Sequence, residues 1–143
     1  MVETALVLCF LGGPLFIGTV EIASVIYSSI EVANAAHAGA TYGMMSSSFA
    51  SNTSGIQTAA QNEAADFGAN LTATPTVFWA CNTAEGGTQY STQSAADTAC
   101  TGSSHPLEFI QVVATATATP AVHFSLLPSS FSLSSTSVME VEE

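Results

Sequence analysis

The sequence contains no lysine and no arginine. Its eleven Asp and Glu residues face only three His and the terminal amine, for a formal net charge of −11 at pH 7. This absence excludes several functions. Nucleic-acid binding needs cations opposite the backbone phosphates, and a polybasic route to anionic lipid needs them opposite the headgroups. Salt bridges are confined to His or the N-terminus, and above about pH 5 the carboxylates repel one another. Two readings of the acidity stand side by side: a chain that works in acid, where carboxylates that ordinarily titrate near about pH 4 are largely neutral, or a surface protein that has lost its basic residues. Under the first reading, stability rises as pH falls from 7 towards the carboxylate range. A denaturation series with its maximum at neutral pH rejects it.

Catalytic and metal signals are missing too. His37, His105 and His123 show no ligand spacing, and Cys81 with Cys100 lacks a paired metal motif. No nucleophile elbow, phosphate loop or pair of catalytic carboxylates occurs. The chain is expected to be no enzyme and to carry no cofactor and no metal, with each His structural or exposed.

What the chain does have is apolar sequence, 48% of its 143 residues, unevenly placed. Ala5 to Ile30 is nearly unbroken, whereas the rest is rich in Ser, Thr, Ala, Gly and Asn. A bilayer core needs about 20 apolar residues in a helix, and Thr4 to Ile30 exceeds that with one charge inside, Glu21. The expected organisation is a hydrophobic rod over 1–47 and a polar head over 48–143, one core with an appendage. Only Met1-Val2-Glu3 precedes the apolar run, so the basic flank that orients an inserted helix is missing. A cleaved basic leader before Met1 accounts for this most simply; an initiator Met without a leader is the alternative.

Beyond Ile30 the Ala-rich sequence continues without proline, which predicts one helix from residue 2 to about 47, roughly 70 Å long. Pro14, beside Gly12 and Gly13, is expected to kink it or melt a turn. Such a break is tolerated in apolar surroundings when neighbouring helices cover it. Gly39 and Gly43 form a small-xxx-small spacing that lets another helix approach closely; packing against the head's own sheet would use the same residues. Glu3 sits where the helix macrodipole favours a carboxylate. The sequence offers Glu21 no Lys or Arg, and this residue is expected to be protonated, to hydrogen-bond to Thr19 or a neighbouring helix, or to mark a membrane boundary.

In the head, Ile56, Ala59, Ala60, Ala64 and Phe67 share one helical face, which predicts a helix capped by Thr53 or Ser54 and ending near Gly68. Thr76–Cys81, Leu107–Thr119 and Phe131–Glu142 read as strands of an antiparallel sheet, with one face on the rear half of the long helix. The fold class is thus α+β, a long helix on a small sheet with one short extra helix. Cys81 and Cys100 read as a disulfide in an extracellular head, and Cys9 as a buried apolar thiol. Asn52-Thr53-Ser54 and Asn70-Leu71-Thr72 fit the N-glycosylation acceptor pattern.

Three groups of residues resemble the TadE-like and TadG-like pseudopilins, relatives of type IV pilins. They are the opening Val2-Glu3-Thr4-Ala5-Leu6-Val7-Leu8, the mid-helix Gly18-Thr19-Val20-Glu21-Ile22, and Asn34-Ala35-Ala36-His37-Ala38-Gly39-Ala40. The last strand, with its acidic end, is loosely similar. The chain departs from the family at His37 and Thr41, where Arg is usual. The resemblance implies a pilin-like fold and a precursor that is held in the cytoplasmic membrane and trimmed by a prepilin peptidase. Pilus assembly machinery would then polymerise it into a cell-surface filament. It makes Glu3 an assembly residue that offsets the terminal amine of a neighbouring copy. The main alternatives are a minor TadE-like pseudopilin of a pilus or secretion machine, and a stand-alone membrane-anchored surface protein.

Overall fold

The computed structural model describes residues 7–82, 87–101, 104–120 and 128–142. It is α+β: a long N-terminal helix and a small three-stranded antiparallel sheet. The helix opens with a π-helical turn, Leu8–Gly12, and continues as α1, Gly13–Gly43. It therefore stops at Gly43 rather than near residue 47. The competitor is Ser46, which is extended at φ −175° and whose hydroxyl accepts from the Phe49 amide at 3.4 Å. That cap starts a new short helix, α2, Ser47–Ala50, and a serine satisfying a new first turn cannot also continue the old helix.

Helix α3 spans Thr53–Glu63. Its cap is Asn52, not Thr53 or Ser54: the Asn52 Oδ1 accepts from the Gly55 amide at 3.0 Å. It ends at Glu63, before the expected limit, and the chain passes through a 3-10 turn, Gly68–Asn70. Gly68 there takes φ +51°, a left-handed conformation that costs glycine little. Of the predicted apolar face, Ile56, Ala60 and Ala64 are fully buried, and Ala59 and Phe67 half-buried.

The strands are β1, Thr72–Cys81; β2, Pro106–Ala118; and β3, Phe131–Glu140, in the order β1-β2-β3. β1 begins four residues before Thr76 because it runs through Pro75, and proline is compatible with an edge strand that has a free side. The outer edge of β1 is partly covered by Tyr90, which exchanges two backbone hydrogen bonds of 2.8 Å with Trp79. Tyr90 belongs to the loop that the Cys81–Cys100 disulfide closes, with Cα atoms 5.5 Å apart. That loop holds α4, Gln93–Ala99, capped by the Thr92 hydroxyl accepting from the Ala95 amide. Among the described residues the head thus has three additional α-helices where one was expected. A Thr followed by Ala-rich sequence is the capping signal by which α4 is readable.

From Ile110 onward β2 alternates. Ile110, Val112, Ala114, Ala116 and Ala118 point inward and are buried, while Thr115 and Thr117 point outward and are exposed. The inward face packs on the rear of α1 through Val32, Ala35, Ala36 and Ala40, with Ile56 and Leu71 closing the core. Helix and sheet meet most closely at two glycines. A Cβ on Gly39 would lie 3.1 Å from Val112 Cγ1, and one on Gly43 would lie 3.0 Å from Ile110 Cγ1. On the outward face Phe78 stacks on Phe109, with ring centroids 5.5 Å apart, forming a second small cluster.

This packing sets the expected response to substitution. Gly39→Val and Gly43→Val should each destabilise the head by about 1–3 kcal/mol through overpacking, whereas Gly18→Ala, whose Cβ meets nothing within 4 Å, should not. Fluorescence of the sole tryptophan, half-buried Trp79 in β1, followed through a denaturant series, reports the difference. Removing the disulfide by a Cys81→Ser, Cys100→Ser double substitution should cost about 3 kcal/mol on the chain-entropy account, measured by the same titration.

Candidate assembly surface

The front of the long helix is a surface in its own right. Phe10 is 76% exposed, Phe16 72%, Leu15 66% and Ile22 63%, and Leu11, Val20, Ile26 and Ile30 are each more than half exposed. At 100° per residue most of these positions fall on one broad face of roughly half the helix circumference, wider than the narrow seam that a single partner helix covers. Phe10–Gly43 is long and apolar enough to cross a membrane.

Two hydroxyls on this rod are turned back to its own backbone. The Thr19 hydroxyl donates to the Phe16 carbonyl at 2.7 Å, and the Ser29 hydroxyl to the Ile26 carbonyl at 2.7 Å. Such back-bonding lets a hydroxyl sit in apolar surroundings without an unsatisfied donor. It also means that the Thr19 proton goes to the backbone and not to Glu21. Glu21 is the one buried charged side chain among the described residues, 5% exposed. Pro14 occupies the second position of α1, directly after the π-helical turn. Proline lacks the N–H that would bond four residues back, and the wider turn re-spaces the backbone there instead of melting it. Gly12, Gly13 and Gly18 leave open space where a side chain would stand.

The other residues singled out from the sequence lie apart from this surface. Gly39 and Gly43, read as places where a second helix could approach, are filled from within the chain by Val112, Ile110 and Ile56. Glu3 lies outside the described residues, as do the side chain of Cys9 and His123. The imidazole of His37 is 3.4 Å from the Thr41 hydroxyl, and the His105 amide donates to Asn82 Oδ1 at 3.0 Å. Among the described residues, no three His, Cys, Asp or Glu side chains converge to hold a metal ion.

The two sequon asparagines differ sharply. At Asn52 the whole amide is engaged: Oδ1 accepts from the Gly55 amide and the Ser54 hydroxyl, both at 3.0 Å, and Nδ2 donates to the Tyr42 hydroxyl at 3.0 Å. Tyr42 in turn lies over Gly55, where any Cβ would collide with its ring. Asn70 is exposed at the end of the 3-10 turn, and no hydrogen bond among the described residues holds its side chain. It opens onto a polar notch where the head meets the rod, shared with Tyr27, Glu31, Asp66 and Thr117. Sequence spacing alone could not separate these two asparagines, since their tripeptides satisfy the same pattern.

No family model, no curated protein and no solved structure matches the chain.

Proposed function

We propose that this chain is a pilin-type structural subunit, held in the cytoplasmic membrane before assembly and polymerised through its N-terminal helix into an extracellular filament. The observation that carries the reading is the exposed front of the rod: a broad apolar face from Phe10 to Ile30, on a helix that the head's core packs against only at its rear. Within lipid such a surface is already satisfied, and helices gain little by associating there. Outside lipid it requires cover. Burying one Leu, Ile or Phe that was exposed contributes about 1.5–3 kcal/mol, so the residues from Phe10 to Ile30 hold enough apolar area to drive association with several neighbours. A single partner helix would leave part of this broad face wet, whereas a central bundle of rods with heads outside covers all of it.

The resemblance of residues 2–8, 18–22 and 34–40 to TadE-like and TadG-like pseudopilins supports the same reading. It assigns Glu3 to the docking of each new copy, opposite a neighbour's terminal amine. Glu21, buried at the middle of the rod, is the second candidate for a polar contact that sets register, in keeping with the cost of placing a carboxyl in apolar surroundings. The machinery that such a subunit implies is a prepilin peptidase and a membrane assembly platform.

The test is the material itself. Electron microscopy and protein analysis of sheared surface fibres should show this chain as the main component of uniform filaments. Presence only in traces points to a minor pseudopilin, and extraction in detergent as a monomer, with no fibres from the same cells, points to a stand-alone anchored protein. Phe16→Ala with Ile22→Ala keeps the segment apolar enough to insert but removes two exposed side chains. It should reduce filament yield at least tenfold while leaving the membrane-bound pool intact. Unchanged yield removes the rod from the assembly mechanism.

A further inference from the structure

We infer that Asn70, and not Asn52, is the attachment site of an N-linked glycan that sits on the collar between head and rod. The inference rests on the proposed exposure of the head outside the cell. Transfer of sugar to an asparagine joins Nδ2 to the anomeric carbon of a lipid-linked glycosyl phosphate. The new Nδ2–C1 bond forms as the C1–O bond to phosphate breaks; the phosphate leaves with the electron pair, and Nδ2 gives up one proton to a base of the transferase. For this the amide nitrogen must be free to twist out of conjugation with its carbonyl, and the tripeptide must lie extended so that the hydroxyl two residues on can be gripped beside it.

Asn52 meets neither condition once folded. Its Oδ1 and Nδ2 are held by three hydrogen bonds, so twisting the amide would break the cap of α3 and the bond to Tyr42. The next two residues of its sequon, Thr53 and Ser54, are already in the first turn of α3, and the Ser54 hydroxyl is spent on Asn52 itself. Asn70 meets both. Its side chain is exposed, Leu71 is extended at φ −88° and ψ 129°, and Thr72 is the exposed first residue of the edge strand β1. Leu71 pins the tripeptide to the head through its buried side chain and through its carbonyl, which accepts from Gln57 Nε2 at 2.7 Å and Gln61 Nε2 at 3.2 Å. Neither contact touches the Asn70 amide.

The surroundings suit a sugar. The notch beside Asn70 offers the carboxylates of Glu31 and Asp66 as acceptors for sugar hydroxyls, the Thr117 hydroxyl, and the exposed ring of Tyr27 as a flat apolar platform. None of them is cationic, and the two carboxylates only accept, so sugar hydroxyls can donate to them.

Mass spectrometry of the chain isolated from its own cells tests this. Trypsin has no site in the sequence, but a protease specific for Glu and Asp separates Asn52 from Asn70 by cutting at Glu63 and Asp66. The expected result is sugar on Asn70, an unmodified peptide containing Asn52, and loss of the added mass in both Asn70→Gln and Thr72→Val, with none lost in Asn52→Gln. An unmodified Asn70, a modified Asn52, or sugar on Thr72 with Asn70 bare overturns the inference. The same digest reports whether Cys81 and Cys100 are joined. A formed disulfide with a bare Asn70 overturns the glycan alone, whereas free thiols with a bare Asn70 overturn the exported head as well.

Discussion

The close approach of α1 to the sheet is the contact on which the rest of the head depends. Gly39 and Gly43 leave no side chain between helix backbone and strand, so Val112 and Ile110 of the central strand reach into the space directly. Ala35, Ala36 and Ala40 complete a face of small residues, and Ile56 and Leu71 close the core from the side. Burial on this face leaves the opposite end of the same helix projecting. The head is therefore built around the rear of a helix whose front it does not cover.

A chain without Lys or Arg has to hold its loops without cations, and the structure replaces ion pairs with neutral devices. Ser46, Asn52 and Thr92 cap three helices through side-chain oxygens. Gln57 bridges α3 to β1, its Oε1 accepting from the Ala73 amide at 2.7 Å while its Nε2 donates to the Leu71 carbonyl. The disulfide fastens the loop that runs from β1 through Tyr90 and α4. Hydrogen bonds of this kind contribute about 0.5–1.5 kcal/mol each and are little affected by salt. None of these side-chain bonds involves a carboxylate.

The rod and the head obey different rules. Much of the sheet's outward face is Thr and Ser, with Thr72, Thr74, Thr76, Thr115, Thr117, Ser132, Ser134 and Thr136 all exposed beside the small Phe78–Phe109 cluster. Most large exposed side chains of the rod are Phe, Leu, Ile and Val, and the Thr19 and Ser29 hydroxyls bond back to its own carbonyls. The exposed surface of the head is rich in hydroxyls and that of the rod in hydrocarbon. The collar at Tyr27, Glu31, Asp66 and Asn70 marks the transition.

Local chemistry was legible in the sequence: the apolar length of the rod, the three strands to within a few residues at most ends, the Cys81–Cys100 pairing, and the helical face of Ile56, Ala60 and Ala64. These depend on periodicity and composition, which act over a few residues. Where rival caps competed, neighbours decided: the end of α1 at Gly43, the choice of Asn52 over Thr53 or Ser54, and the formation of α4. Tertiary structure alone determined what each special residue faces. Gly39 and Gly43 meet the chain's own sheet, Glu21 is buried, and of the two sequon asparagines only Asn52 is tied to Tyr42. A spacing states which residues share a face, but what lies opposite that face is set by chain segments tens of residues away.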